Sequence, residues 1–160
     1  MLKQANINRE DILAAYHFRH ATKVYDDTRQ ISNEDFDFIL EAGRLSPSSL
    51  GSEPWQFLVV QNPELRQKLL PVAPGAAEKL RTASHFVILL ARKNLRYDSE
   101  HMLNQMTHVQ KMPKDIIDRA VGSFKSFQEL NKILDNDRTL FDWASKQTYI
   151  ALGNMLLRPL

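Results

Sequence analysis

The stretch "RLSPSSLGSEPWQFLVV", residues Arg44–Val60, sets serines, prolines and a glycine directly before an aromatic and β-branched run. From Trp55, "WQFLVVQ" has the length and composition of a strand, and Asn62-Pro63 then reads as an N-cap with proline at the first helical position. A second apolar run, "HFVILLARK", is too short for a helix of its own. Being apolar at almost every position, it is expected to be a central strand covered on both faces. A helix between two strands implies α/β or α+β layering.

Upstream of the opening stretch, Asn8 followed by Asp11 has the pattern of an N-cap with an acid at N3, and Ile12, Leu13 and Tyr16 follow at helical spacing. This first helix is expected to end near His20. Ser32 with Asp35 repeats the device, and Phe36, Ile39 and Leu40 continue a second helix that Pro47 closes. Downstream, helix formers dominate "SEHMLNQMTHVQ", "PKDIIDRAVGSFKSFQELNKIL" and "RTLFDWASKQTYIALGNMLL", with Pro113 and Asn136-Asp137 between them. The last helix is apolar on nearly every face from Tyr149 to Leu157, which predicts burial against another element or another subunit.

The chain has 160 residues, 43% of them hydrophobic and 25% charged, and this is the composition of one globular domain. Its longest apolar run, Phe86 to Ala91, falls far short of the ~20 residues a membrane span requires. The N-terminus lacks the apolar core and cleavage site of a secretory signal, so a cytoplasmic protein without a membrane partner is expected. With no cysteine, thiol nucleophiles and thiolate metal sites are excluded, and redox chemistry requires a bound cofactor. A formal charge of +2, with basic and acidic residues interspersed, gives no basis for a nucleic-acid partner.

Two segments carry candidate binding chemistry, and each has a plain alternative. "RHATK", Arg19 to Lys23, holds two fixed positive charges and a histidine with no acid among them. That suits an anion, but a basic helix end also complements the helix dipole without any ligand. In "SPSSLGSEPW" two prolines restrict the backbone, Gly51 permits positive φ, and serines offer hydroxyls and amides to a flat polar edge. The same residues are those of an ordinary connector. His17 with His20, and His101 with His108, share helical spacing, but no third ligand stands at metal spacing. No G-x-S-x-G, G-x-G-x-x-G or Walker loop is present.

Taken together, "RHATKVYD", "LSPSSLGSEPWQFLVV", "EKLRTASHFVILLARK" and "WASKQTYIALGNMLL" resemble the FMN-dependent nitroreductase family, especially its oxygen-insensitive bacterial NAD(P)H nitroreductases. The resemblance runs from about Tyr16 to Leu157. It implies an α+β nitroreductase-like fold, with an antiparallel or mixed central sheet flanked by helices, in an intertwined homodimer. FMN would lie in clefts between the subunits, and the apolar last helix would be buried against its symmetry mate.

By the same resemblance Arg19, with His20 and Ala21 beside it, holds the FMN phosphate, and a guanidinium fork suits that geometry. Lys23 lies near the pyrimidine edge of the flavin, with Lys79 supporting that region. Pro47, Ser48, Ser49 and Gly51 belong to a loop that contacts the flavin across the dimer. The implied activity is a ping-pong transfer of two electrons from NADH or NADPH to a nitroaromatic, quinone or similar small-molecule acceptor. No catalytic side chain is implied.

This sequence departs from the family pattern in three ways. Ala21 stands where relatives commonly carry serine, Ala76 stands where an amide side chain often meets the flavin, and the family continues past "GNMLL" into strands and a late basic pair. The chain is accordingly expected to be a single nitroreductase-like domain over 1–160, shortened at its C-terminus. Each charge-assisted hydrogen bond missing from the phosphate would cost about 1.5–3 kcal/mol. The alternative function is a non-catalytic, shortened relative that acts through dimerisation or partner binding.

Overall fold

The computed structural model describes residues 8–157, and the expectations for the extreme N-terminus and for the closing "RPL" fall partly or wholly outside them. Seven α-helices and two strands are described: α1 Arg9–Phe18, α2 Asn33–Arg44, β1 Trp55–Val59, α3 Pro63–Leu69, α4 Ala77–Thr82, β2 Val87–Ala91, α5 Glu100–Asn104, α6 Lys114–Leu130 and α7 Asp137–Met155. The two strands pair antiparallel, with the Val60 N–H donating to Phe86 C=O at 2.7 Å and the Arg92 N–H donating to Pro54 C=O at 2.9 Å. No helix among the described residues is long and apolar enough to cross a membrane.

Local signals account for most boundaries. Ser32 and Asp35 form the reciprocal cap of α2: the Asp35 N–H donates to Ser32 Oγ at 3.0 Å, and that hydroxyl donates to Asp35 Oδ2 at 2.7 Å. Asn62 Oδ1 accepts the Leu65 N–H at 3.1 Å, with Pro63 at the start of α3. At α1 the cap is shifted, because Asn8 Oδ1 accepts from Glu10 N–H rather than from the N3 position. This helix ends at Phe18, two residues early, where Arg19 turns to extended backbone at φ −63°, ψ 124°.

The described residues form two compact units, one of residues up to 43 with 58–88 and the segment from 153, the other 44–57 with 89–152. In the first, Val60 and Leu80 are buried and Arg66 ties the segments together. Its guanidinium donates to the carbonyls of Val60 at 2.8 Å, Ala83 at 2.7 Å and Ser84 at 3.2 Å. His85 stacks on Phe36 with ring centroids 4.0 Å apart. Burial, followed by the Arg66 charge, holds its imidazole pKa below the ordinary value.

In the second unit Leu95, Met102, Ile133, Leu140 and Ala144 form the core, with Leu50, Phe124, Phe127, Leu134 and Trp143 packed against it. Gln128 is fully buried beside them, with Nε2 donating to Leu95 C=O and Oε1 accepting from Tyr97 N–H, both at 2.8 Å. Both halves of its amide are thereby satisfied, as a buried polar side chain requires.

Two expectations are corrected. The segment around Gln105 does not continue as α-helix: α5 passes into a π-helical turn, Gln105–Val109, closed by the Gln110 N–H donating to Gln105 C=O at 2.8 Å. β2 is not covered on both faces, since Leu90 is 43% exposed and the described sheet has only β1 beside it. The apolar end of α7, for which cover by another element or another subunit is expected, stays open among the described residues, with Tyr149 at 72% and Leu156 at 47% exposure. Apolar periodicity reports that a face needs covering, and here the described residues do not supply the cover.

Candidate functional site

The basic segment begins where α1 stops. Arg19 is the C-cap, and its own N–H donates to Ala15 C=O at 3.1 Å. His20 folds back, with Nδ1 3.1 Å from Phe18 C=O and Nε2 3.2 Å from Thr22 Oγ1. Since a carbonyl only accepts, Nδ1 carries the proton, and Nε2 is left to accept from the Thr22 hydroxyl. Among the described residues Arg19 and Lys23 have no ion-pair partner, and the Ala21 N–H has no acceptor. The segment therefore leaves a guanidinium, an ammonium and a backbone amide exposed, all three donors of the kind an anion accepts from.

The chain beyond Lys23 is held firmly. Asp26 Oδ1 accepts from Thr28 N–H at 3.0 Å and from Thr28 Oγ1 at 2.6 Å, and these bonds hold its carboxyl below the usual range. Tyr25 N–H donates to Thr82 Oγ1 at 3.0 Å and Ile31 N–H to Ser84 Oγ at 3.0 Å. Thr82 closes α4, the helix that carries Lys79, so the structure ties the "RHATK" segment and the Lys79 helix into one unit. Lys79 Nζ donates to Gly75 C=O at 3.1 Å, bracing the short turn Pro74–Ala76 in which Ala76 lies. No signal near Lys23 pointed to Thr82, because its partner lies 57 positions away.

The serine-proline loop is built in the second unit. Leu50 at φ 60° and Gly51 at φ 59° form a turn with both central residues left-handed, closed by the Ser52 N–H donating to Ser49 C=O at 3.2 Å. Gly51 meets the sequence expectation of positive φ, whereas Leu50 and Glu53, at φ 40°, adopt it at a steric cost. A Cβ on Gly51 would also collide with Gln110 Nε2.

Four polar contacts hold this loop. Glu53 N–H donates to Ser48 Oγ at 2.9 Å, and Ser49 N–H to Gln147 Oε1 at 2.9 Å. Gln110 Nε2 donates to Gly51 C=O at 3.0 Å, and His101 Nε2 to Ser52 C=O at 2.6 Å. Pro47 stays exposed, while Ser48 and Ser49 are half-buried. Ser48 Oγ accepts from Glu53, so its own proton is free to be donated.

Sequence reasoning missed Gln147, Gln110 and His101 as partners of the loop. No local signal marked them: Gln147 sits among Ser145, Lys146 and Thr148, and nothing there points to Ser49. His101 does not pair with His108, which is exposed. Burial first, with the Arg92 charge adding to it, lowers the His101 pKa, and the hydrogen bond to Ser52 opposes the shift.

Residues 16–158 match the family model described as Nitroreductase family. The protein named as NAD(P)H nitroreductase YfkO of Bacillus subtilis is 53% identical over 151 residues, which cover 92% of this chain and 68% of that protein. A crystal structure of a protein named as nitroreductase ydfN, from Bacillus subtilis, superposes with a TM-score of 0.76 at 18% identity, covering 94% of this chain and 70% of that one. A second, from Exiguobacterium sibiricum and named as a nitroreductase in complex with FMN, gives 0.70 at 23% identity, covering 96% and 70%. The fold is thus nitroreductase-like α+β.

Proposed function

Because the chain belongs to the Nitroreductase family, we propose that it is an FMN-dependent oxidoreductase that passes two electrons from NADH or NADPH to a nitroaromatic, a quinone or a similar acceptor, in a ping-pong cycle. The observation that carries this reading is the exposed cation pair Arg19 and Lys23, which has no ion-pair partner among the described residues; the serine-edged loop at Pro47–Gly51, built by its own contacts in the other unit, supports it separately.

The residues present suit FMN by their chemistry. Arg19 would hold the phosphate, with His20 setting the local turn and the Ala21 N–H adding a neutral donor, so the missing serine hydroxyl has a substitute. Lys23 and Lys79 would face the pyrimidine edge, where an ammonium favours the reduced, negatively charged cofactor. Pro47, Ser48 and Ser49 would lie against the ring, with the Ser48 hydroxyl as donor. When bound, FMN supplies the two-electron chemistry, which no cysteine in this chain is available to supply.

A homodimer completes the proposal. The exposed Ile12, Leu13, Tyr16 and Phe18 of α1 in one unit, and Tyr149 and Ile150 of α7 in the other, are each apolar surface that a second copy would cover. The test is the visible spectrum of purified protein titrated with FMN. Binding should give a bound-flavin spectrum that NADH or NADPH bleaches and menadione or nitrofurazone restores. Protein that takes up no flavin would overturn the proposal.

A further inference from the structure

We infer that Gln147, Gln110 and His101 are positioning residues, a three-point clamp that fixes the Ser48–Glu53 turn in one conformation before any ligand arrives. The inference rests on the reading of this turn as the edge that meets the flavin. All three partners and the turn lie within one compact unit.

The contacts divide the labour. Gln147, from α7, accepts the Ser49 N–H; Gln110, at the end of the π-helical turn, donates to Gly51 C=O; His101, from α5, donates to Ser52 C=O. Three separate elements thus bind three groups of one turn. The acceptor at Ser52 is a carbonyl, so Nε2 carries the proton on His101. Gln147 Nε2 donates to Trp143 C=O at 3.3 Å, which sets its amide with the oxygen toward Ser49.

The turn needs such a clamp because its backbone is strained. Leu50 and Glu53 occupy left-handed conformations that side-chain-bearing residues avoid, and conformations of this kind persist only where the surroundings over-determine them. Leu50 is anchored by packing on the core cluster of this unit. The π-helical turn has a role here as well. The residue whose N–H closes it, Gln110, is the one whose side chain reaches Gly51, where the absent Cβ leaves room for the amide.

A turn held this way meets its ligand without an ordering cost, so loosening the clamp weakens binding through the turn. The experiment is amide hydrogen exchange by NMR on the full chain, alongside FMN titration, for Gln147→Ala, Gln147→Glu and Gln110→Ala. Gln147→Ala should speed exchange at Ser49 by about tenfold, the worth of one hydrogen bond, while α6 amides stay unchanged. FMN affinity should fall by about the same factor. Gln147→Glu keeps an acceptor and should retain protection at Ser49. Gln110→Ala should speed exchange at Gly51 and Ser52.

Unchanged exchange at Ser49 in Gln147→Ala, or a uniform rise over the whole unit, would overturn the clamp. Exchange is read without cofactor, so the two readings separate. Protein that takes no FMN yet shows Gln147-dependent protection keeps the clamp and loses the flavin.

Discussion

Gln147 and Ser49 stand 98 positions apart, and the side-chain oxygen of the first accepts the backbone N–H of the second at 2.9 Å. The conformation of the serine loop is therefore set by α7 as much as by its own residues. The same helix carries Leu140 and Ala144 into the core on which Leu50 packs. Packing, strain and polar contacts thus converge on one short turn, and each can be perturbed separately.

Gly51→Ala tests the close approach. The substitution places a Cβ on a residue at φ 59° and drives it against Gln110 Nε2, so strain and a displaced hydrogen bond add. We expect a loss of about 1–3 kcal/mol in urea-unfolding free energy. A loss within 0.5 kcal/mol, the ordinary range for a harmless surface change, would contradict the geometry.

Gln128→Leu tests the buried amide. Leucine fills similar space but leaves Leu95 C=O and Tyr97 N–H without their side-chain partner. Two orphaned backbone groups should cost about 2–5 kcal/mol, visible as a lower midpoint in thermal and urea unfolding. Gln128→Glu keeps one acceptor for Tyr97, but puts a charge in a fully buried position and should be no more stable.

What the sequence made legible was local. Caps such as Ser32–Asp35 and Asn62–Pro63 declare themselves within four residues, and β1 and β2 were readable from composition. Positive φ at Gly51 was readable because glycine is the residue that tolerates it. Leu50 at φ 60° was not, since its conformation is imposed by core packing rather than by propensity. The contacts of Tyr25 with Thr82, His101 with Ser52 and Gln147 with Ser49 bridge 57, 49 and 98 positions, and no periodicity encodes them. The last helix meets the same limit. An apolar stretch shows that cover is needed and does not say which chain provides it.

Arg19→Ala tests the proposed phosphate contact. Arg19 is exposed and without an ion pair among the described residues, so the change should leave unfolding free energy within about 0.5 kcal/mol. Loss of a charge-assisted hydrogen bond should weaken FMN by about tenfold to a hundredfold. Arg19→Lys should recover only part of this, because an ammonium lacks the fork that matches phosphate. Equal FMN affinity in all three proteins would remove Arg19 from the site.

Stability should depend on pH through His101 and His85, whose pKa values both lie below the ordinary 6.5, chiefly because burial disfavours the charged ring. For a histidine with a depressed folded-state pKa, the unfolded chain binds more protons once the pH falls below about 6.5. Stability is then full above that value and is lost as the pH drops toward the folded-state pKa. Urea midpoints should fall between pH 7.5 and pH 5.5, and His101→Gln, which keeps a side-chain donor for Ser52, should flatten part of the slope. Arg92 and Glu53 act on His101 with opposite signs, so added salt should change that slope little.

Tyr149 tests the proposed dimer, because it combines an aromatic side chain with 72% exposure on a helix whose core face already carries Ala144, Gln147, Thr148 and Ala151. In an isolated chain, Tyr149→Asp changes a solvated position and should leave unfolding free energy nearly unchanged. In a dimer that covers this face, the carboxylate is desolvated without a partner, and the assembly should dissociate. Analytical ultracentrifugation should therefore show wild-type dimer and a monomeric or much weaker Tyr149→Asp variant. Lys146→Asp, also exposed but on a polar side chain, serves as the charge control. Two variants that sediment alike as stable dimers would place the subunit interface away from Tyr149.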